Sequence, residues 1–235
     1  MLEKGSTTTT SVGFRILGKE HLLILMMLLL SGYLLMGLLP EFSEQTVQLN
    51  IGKGMSWILC LTVLAWTYTR GKSGNFDIRK DMPLDICNLS SLLMPLLMYS
   101  QNEIMFQLMF YWILAGTLQA VLTPDLDEPY PHITYFKYWL VHGGLVIAIL
   151  YATSVMGMKP SYTGLWYAFF GIQLYALSIY LFNRFTGANY AYLSRKPENP
   201  TLLDHLGKFP YYILSLELLA LILFHLLYYS FTTLI

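Results

Sequence analysis

Charged residues and cysteines are both scarce in this sequence. Only 12% of the 235 residues are charged, and the 14 basic residues equal the 14 acidic ones in number. No excess of positive charge is present to attract a nucleic acid, so we expect no nucleic-acid partner. The two cysteines, Cys60 and Cys87, give no sign of a disulfide framework.

The familiar signatures of metal and nucleotide enzymes are missing as well. No glycine-rich phosphate loop precedes a helix, and the last apolar run contains no lysine that could form a retinal Schiff base. The histidines do not follow the i, i+4 spacing of a helical zinc site; they are His21, His132, His142, His205 and His225. We therefore expect neither a metal site nor a cofactor.

Apolar residues dominate the composition. They make up 55% of the chain, and the mean hydropathy is +0.51, which is typical of an integral membrane protein. Seven runs approach the roughly 20 residues needed to cross a bilayer. They cover residues 20–39, 51–69, 82–99, 103–123, 133–156, 161–183 and 209–232. The sequence predicts an all-α, polytopic bundle of seven transmembrane helices in one domain, 16–235, after a mobile tail, 1–15.

Basic residues lie mostly on one side of the predicted bundle. Of the 14 lysine and arginine residues, all but Lys53 and Lys159 fall on the face that carries the N-terminus. Basic connections are retained in the cytoplasm, so we expect a cytoplasmic N-terminus, an external C-terminus and a multi-pass protein.

Four polar residues of the predicted spans have similar depths. At 1.5 Å per helical residue, Cys87, Gln119, His142 and Glu217 lie about 6 to 13 Å from the cytoplasmic ends of their spans. Polar side chains from four helices at one level favour a shared, partly wet cavity open to the inner leaflet. Cys87 shares an i, i+3, i+4, i+7 stripe with Ser90, Ser91 and Met94, which predicts that this face is turned toward protein.

A cysteine paired with a histidine can transfer acyl groups. The imidazole removes the thiol proton, and the thiolate attacks an ester carbonyl. Asn88, Gln119 and Asn189 are candidate donors to the resulting oxyanion. The competing interpretation makes Cys87 a packing residue and His142 the partner of an interhelical hydrogen bond.

The remaining polar candidates each have two interpretations. Glu217 either supports the site or pairs structurally with His142. Asp125, in an acidic and proline-rich loop, either holds a cation or a head-group amine or belongs to a solvated turn. Arg195 and Lys196 either bind lipid phosphate or only set the membrane topology.

Several short tracts together resemble the YwaF-like family of bacterial integral membrane proteins, from about residue 15 to the end. They are 83-PLDICN-88, 119-QAVLTPDL-126, 142-HG-143, 189-NY-190 through 196-KP-197, 202-LLD-204 and 206-LG-207 before 210-PYY-212. The family is similar to an animal polytopic, cysteine-dependent phospholipid acyltransferase and, more distantly, to androgen-induced membrane hydrolases of fatty-acid esters. The resemblance implies a bacterial plasma-membrane enzyme with Cys87 as nucleophile and His142 as its partner.

One residue departs from the pattern that the resemblance implies. Asp85 lies two residues before Cys87, where a neutral or basic side chain is expected, and a carboxylate there makes the thiolate scarcer. The sequence thus predicts a lipid acyltransferase or acyl-ester hydrolase acting on membrane lipids. The alternative is a small-molecule or lipid transporter or binding protein with a polar intramembrane cavity.

Overall fold

The computed structural model describes residues 14–74, 76–126, 128–196 and 206–234, and all regular structure in these ranges is helical. We number the helices α1 (Lys19–Phe42), α2 (Gln45–Lys72), α3 (Ile86–Ser100), α4 (Glu103–Leu122), α5 (Ile133–Ser154), α6 (Tyr162–Thr186) and α7 (Tyr211–Leu234). A short 3₁₀ segment, Tyr190–Tyr192, follows α6. The predicted mobile tail lies outside the described residues up to residue 13, and the next residue, Phe14, is buried.

The predicted number of seven spanning helices is wrong. Six helices of the described ranges are long and apolar enough to cross a membrane, whereas α3 is a shorter apolar helix. The predicted span began at residue 82, but Pro83 disfavours helical geometry at Met82, and α3 starts only after Asp85. The 15 residues of α3 rise roughly 22 Å, less than the apolar core of a bilayer.

Helix α3 is nevertheless central to the bundle. Ser91 and Met94 on its predicted stripe are fully buried and Ser90 nearly so, which confirms that this face is turned toward protein. The largest core cluster joins Met94, Leu97 and Met98 of α3 to aromatic and aliphatic side chains of α4 and α5. The helix ends at Ser100, and the left-handed backbone of the next residue, Gln101, starts the tight turn into α4.

A buried histidine attaches α1 to the rest of the bundle. His21 is fully buried; its Nδ1 accepts a hydrogen bond from the Leu17 N–H (3.0 Å), and its Nε2–H donates to the Val121 carbonyl of α4 (2.9 Å). Phe14 and Trp139 pack their rings against this imidazole. His21 is therefore a structural residue with both nitrogens engaged.

Two adjacent glycines allow close packing beside His142. A Cβ at Gly143 would lie 2.6 Å from Leu28 Cδ2 of α1, and one at Gly144 would lie 2.7 Å from Leu59 Cδ2 of α2. Small residues permit such close approach in membrane interfaces. Leu28 and Leu59 therefore contact two faces of α5 in the turn after His142.

The interface of α4 and α6 leads to a prediction about stability. A Cβ at Gly164 would overlap with Gln107 Oε1. Gln107 is buried, donates to the Lys159 carbonyl and accepts from the Ser161 N–H. Gly164→Ala should break both hydrogen bonds and lower the free energy of unfolding by about 2–4 kcal/mol. Thermal unfolding in detergent measures the loss.

Gly54→Ala is the matched control for this substitution. A Cβ at Gly54 meets nothing within 4 Å, so the change should leave the unfolding midpoint unaltered or raise it slightly. Equal midpoints for the Gly164→Ala protein and the wild type would contradict the packing argument.

Candidate active site

Cys87 occupies the first turn of α3. It is partly buried, and its Sγ lies 3.3 Å from Thr117 Oγ1 of α4 in a hydrogen bond. Asp85 is the N-cap residue, but its side chain makes no capping hydrogen bond. The first N–H groups of a helix have no partner within the helix, and the positive end of the helix dipole favours a thiolate nearby. The other cysteine, Cys60, is buried within α2.

A local change of helix type accompanies the Thr117 contact. Residues Ile113–Thr117 of α4 form a π-helical turn between two α-helical segments. Such single turns rotate the side chains that follow them and are frequent at functional sites. Thr117 itself is almost fully buried, so its hydroxyl is directed into protein beside the thiol.

His142 is oriented by a residue of its own helix. Its Nδ1 lies 2.8 Å from the Tyr138 carbonyl oxygen, and the two rings pack with centroids 4.1 Å apart. A carbonyl oxygen only accepts, so Nδ1 carries the hydrogen and Nε2 keeps the lone pair that can take a proton. No hydrogen bond joins Cys87 to His142 in the described residues, but Tyr138 is also close enough to Cys87 to interact electrostatically with it.

A lysine and an aspartate bring opposite charges to the site. Lys137 Nζ lies 5.4 Å from the centre of the Trp66 ring, and its charge acts on Asp85, Cys87 and His142. Burial raises the pKa of Asp85, against the opposing effects of Lys137 and of a hydrogen bond from the Ala191 N–H. Lys137 thus opposes, but only in part, the effect of the Asp85 carboxyl on the thiol.

The 3₁₀ segment after α6 packs over the start of α3. Tyr190 accepts a hydrogen bond from the Met82 N–H and donates to the Ile78 carbonyl, while its own backbone is held by both side-chain atoms of Asn183. Tyr175 of α6 donates to the Leu84 carbonyl (2.7 Å). The loop before Cys87 is therefore fixed from two directions.

Of the other predicted candidates, Asn88 is the immediate chain neighbour of Cys87. It is partly buried. The Gln119 side chain is exposed, although its backbone carbonyl accepts from Thr123. Asp125 is exposed, and its backbone N–H donates to the Tyr138 hydroxyl (3.3 Å). The structure thus connects the Asp125 loop to the residue that packs on His142.

The remaining candidates make contacts outside the Cys87 cluster, which comprises Cys87, Thr117, Tyr138 and His142. Asn189 uses its side-chain oxygen and nitrogen on the backbone of Ser194 and Arg195. Lys196 Nζ lies 5.7 Å from the centre of the Tyr212 ring. Glu217 accepts a hydrogen bond from Gln173 of α6 (2.8 Å), so its observed partner is an amide rather than His142.

Sequence reasoning missed Thr117, Lys137 and Tyr138. Thr117 carries no pattern that separates it from an ordinary threonine in a membrane helix. Lys137 is one of the basic residues of the predicted charge asymmetry, which by itself indicates membrane topology and no role beside the thiol. The sequence does contain a signal for Tyr138. It lies four residues before His142, and residues four apart in a helix share a face.

Comparison with known proteins places the chain among membrane proteins. A sequence model of the TMEM164 family matches residues 16–228. The chain is also 27% identical, over 119 residues, to an uncharacterized protein of Treponema pallidum (strain Nichols). That similarity covers 51% of this chain and 50% of the relative. No solved structure matches.

Proposed function

Because the chain belongs to the TMEM164 family of multi-pass membrane proteins, we propose that it transfers or hydrolyses the acyl chains of membrane lipids through Cys87 and His142. Seven of the basic residues lie at or before the first residue of α1 or between the last turn of α2 and the start of α3, two regions that share one membrane side if α1 and α2 both span, and this supports a site at the cytoplasmic leaflet. The observation that carries it is the Cys87–Thr117 hydrogen bond at the N-terminus of α3. When the Thr117 hydroxyl donates to the sulfur, this bond and the helix N-terminus both favour the thiolate, the reactive form of cysteine, and they oppose burial, which disfavours it.

Acylation of the enzyme is the first step of the proposed reaction. His142 Nε2 takes the proton of the Cys87 thiol, and the sulfur forms a bond to the carbonyl carbon of a lipid ester. The carbon–oxygen bond to the alcohol then breaks, and the imidazolium returns its proton to the departing oxygen. The products are a thioester on Cys87 and a lipid with a free hydroxyl.

Deacylation regenerates the enzyme by the reverse proton transfers. His142 removes a proton from the hydroxyl of a second lipid or from water, whose oxygen attacks the thioester carbonyl. The carbon–sulfur bond breaks, and the sulfur recovers a proton from the imidazolium. A lipid acceptor gives acyl transfer, whereas water gives hydrolysis, so the same residues support both outcomes.

Stabilisation of the oxyanion is assigned to the start of α3. The backbone N–H groups of its first turn are the candidate donors, with the Asn88 amide beside them. Lys137 contributes a positive charge that favours the Cys87 thiolate and the oxyanion but disfavours the His142 imidazolium. Such fixed charges and dipoles stabilise a transition state most where water is scarce.

Trapping the acyl-enzyme tests this proposal. The purified protein is reconstituted in vesicles whose phospholipids carry isotope-labelled acyl chains, and its peptides are analysed by mass spectrometry. We expect the labelled acyl mass on the Cys87 peptide, its release by neutral hydroxylamine, and parallel turnover of the vesicle lipids. The Cys60 peptide serves as the internal control. If the vesicle lipids stay unchanged and the vesicles take up solute in a proton-coupled manner, the enzyme proposal is wrong and the transporter alternative is favoured.

A further inference from the structure

Tyr138 contacts His142 through two different groups. The backbone carbonyl accepts the hydrogen of His142 Nδ1 at 2.8 Å, and the phenol ring packs on the imidazole with a centroid distance of 4.1 Å and an interplanar angle of 36°. The first contact fixes which nitrogen carries the hydrogen. The second restricts rotation of the imidazole ring.

The ring of Tyr138 is itself held in place at its far end. Its hydroxyl donates to the Ala120 carbonyl in the last turn of α4 (2.8 Å) and accepts from the Asp125 N–H (3.3 Å). The phenol is thus attached to a second helix and to the loop that follows it. An imidazole packed on so constrained a ring keeps its orientation without a carboxylate partner.

We infer that Tyr138 is the positioning residue for His142: it leaves Nε2 as the base and stabilises the imidazolium that forms when the thiol proton is taken. The face of an aromatic ring attracts a cation placed over it. Tyr138 therefore favours transfer of the proton from Cys87 to His142. This inference rests on the proposed function, since it assigns His142 the role of base.

Other charged and titratable groups also act on this site. They are Lys137 on α5, Asp85 before α3, Cys87 on α3, Tyr175 on α6, Asp125 after α4 and Tyr192 in the 3₁₀ segment. Substitutions at Tyr138 leave all of them in the chain. If the pH dependence of Cys87 reactivity changes only in a Tyr138 variant, the change is therefore due to loss of the Tyr138 ring.

The test measures how fast iodoacetamide alkylates Cys87 between pH 5 and pH 10, in a Cys60→Ala background and in detergent. Tyr138→Leu removes the aromatic ring, so thiolate formation should need a higher pH. We expect the midpoint of the alkylation profile to rise by about 0.5 to 1 pH unit. The rate at the alkaline plateau should stay within about twofold of the parent, because hydroxide alone ionises the thiol there. Tyr138→Phe keeps the ring and the carbonyl, and should keep the parent midpoint.

Tyr135→Leu is the matched control on the same helix. Tyr135 is a buried tyrosine that packs against Trp139 rather than His142. An unchanged Tyr138→Leu midpoint, a uniform loss of alkylation at every pH, or an equal shift for Tyr135→Leu would overturn the inference. Failure of the proposed function itself gives a different result. If His142 is not the base, the His142→Ala protein should also show the alkylation midpoint of the parent protein.

Discussion

Replacing Cys87 by alanine should abolish acylation of the protein. With a fatty-acid p-nitrophenyl ester as the acyl donor, the wild-type protein should gain one acyl group on Cys87, and the variant should gain none. Turnover of vesicle lipids should fall by about a thousandfold or more, because the covalent intermediate can no longer form. Intact-protein mass spectrometry and quantitative lipid analysis measure the two effects.

Cys60→Ala provides the control for this substitution. Cys60 is a buried cysteine of α2 whose thiol packs in the protein, so its removal should leave acylation and lipid turnover unchanged. The thermal midpoints of both variants should stay near that of the wild type, which separates chemistry from folding. If the Cys87→Ala protein still gains an acyl group, or turns over lipid as fast as the wild type, Cys87 is not the nucleophile.

Replacing His142 by alanine should slow acylation by about 10²- to 10⁴-fold at neutral pH, the usual contribution of a general base. The remaining rate should increase with pH, because hydroxide takes over removal of the thiol proton. The second-order rate of acylation by the same ester, followed from pH 6 to pH 10, measures both the loss and its recovery.

His225→Ala is a close structural control. His225 also lies within a spanning helix, and its Nδ1 also contacts the carbonyl four residues earlier, at 2.8 Å from Leu221. Its ring packs on Tyr162 and Trp166 of α6 instead of the Cys87 cluster. This substitution should leave acylation within about twofold of the wild type. If His142→Ala and His225→Ala slow acylation to a similar extent, His142 is not the general base.

Helix positions followed well from the sequence because apolar runs record them directly. The predicted spans 133–156 and 161–183 agree closely with Ile133–Ser154 and Tyr162–Thr186. The length of α3 was overestimated because the hydropathy scan included the segment around Pro83, whose restricted backbone keeps it outside the helix. Hydropathy reports which residues prefer lipid, whereas backbone geometry decides where a helix begins.

Contacts between helices were much harder to predict. The stripe that contains Ser91 and Met94 was recognised because it follows the period of a single helix. In contrast, the pairing of Glu217 with Gln173 and of Cys87 with Thr117 depends on which helices are neighbours and how each is rotated. Those rotations are set by packing throughout the bundle, including the π-helical turn of α4, and one sequence records none of them.

If the proposed acyl-enzyme forms, the close packing of Leu28 and Leu59 against Gly143 and Gly144 limits where its fatty tail can run. These leucines occupy the volume next to two sides of α5 in the turn beyond His142. A hydrocarbon tail anchored at Cys87 in the proposed intermediate is therefore steered away from both sides. Enlarging that volume, for instance with Leu59→Ala, would offer the tail a second route and broaden the range of chain lengths accepted.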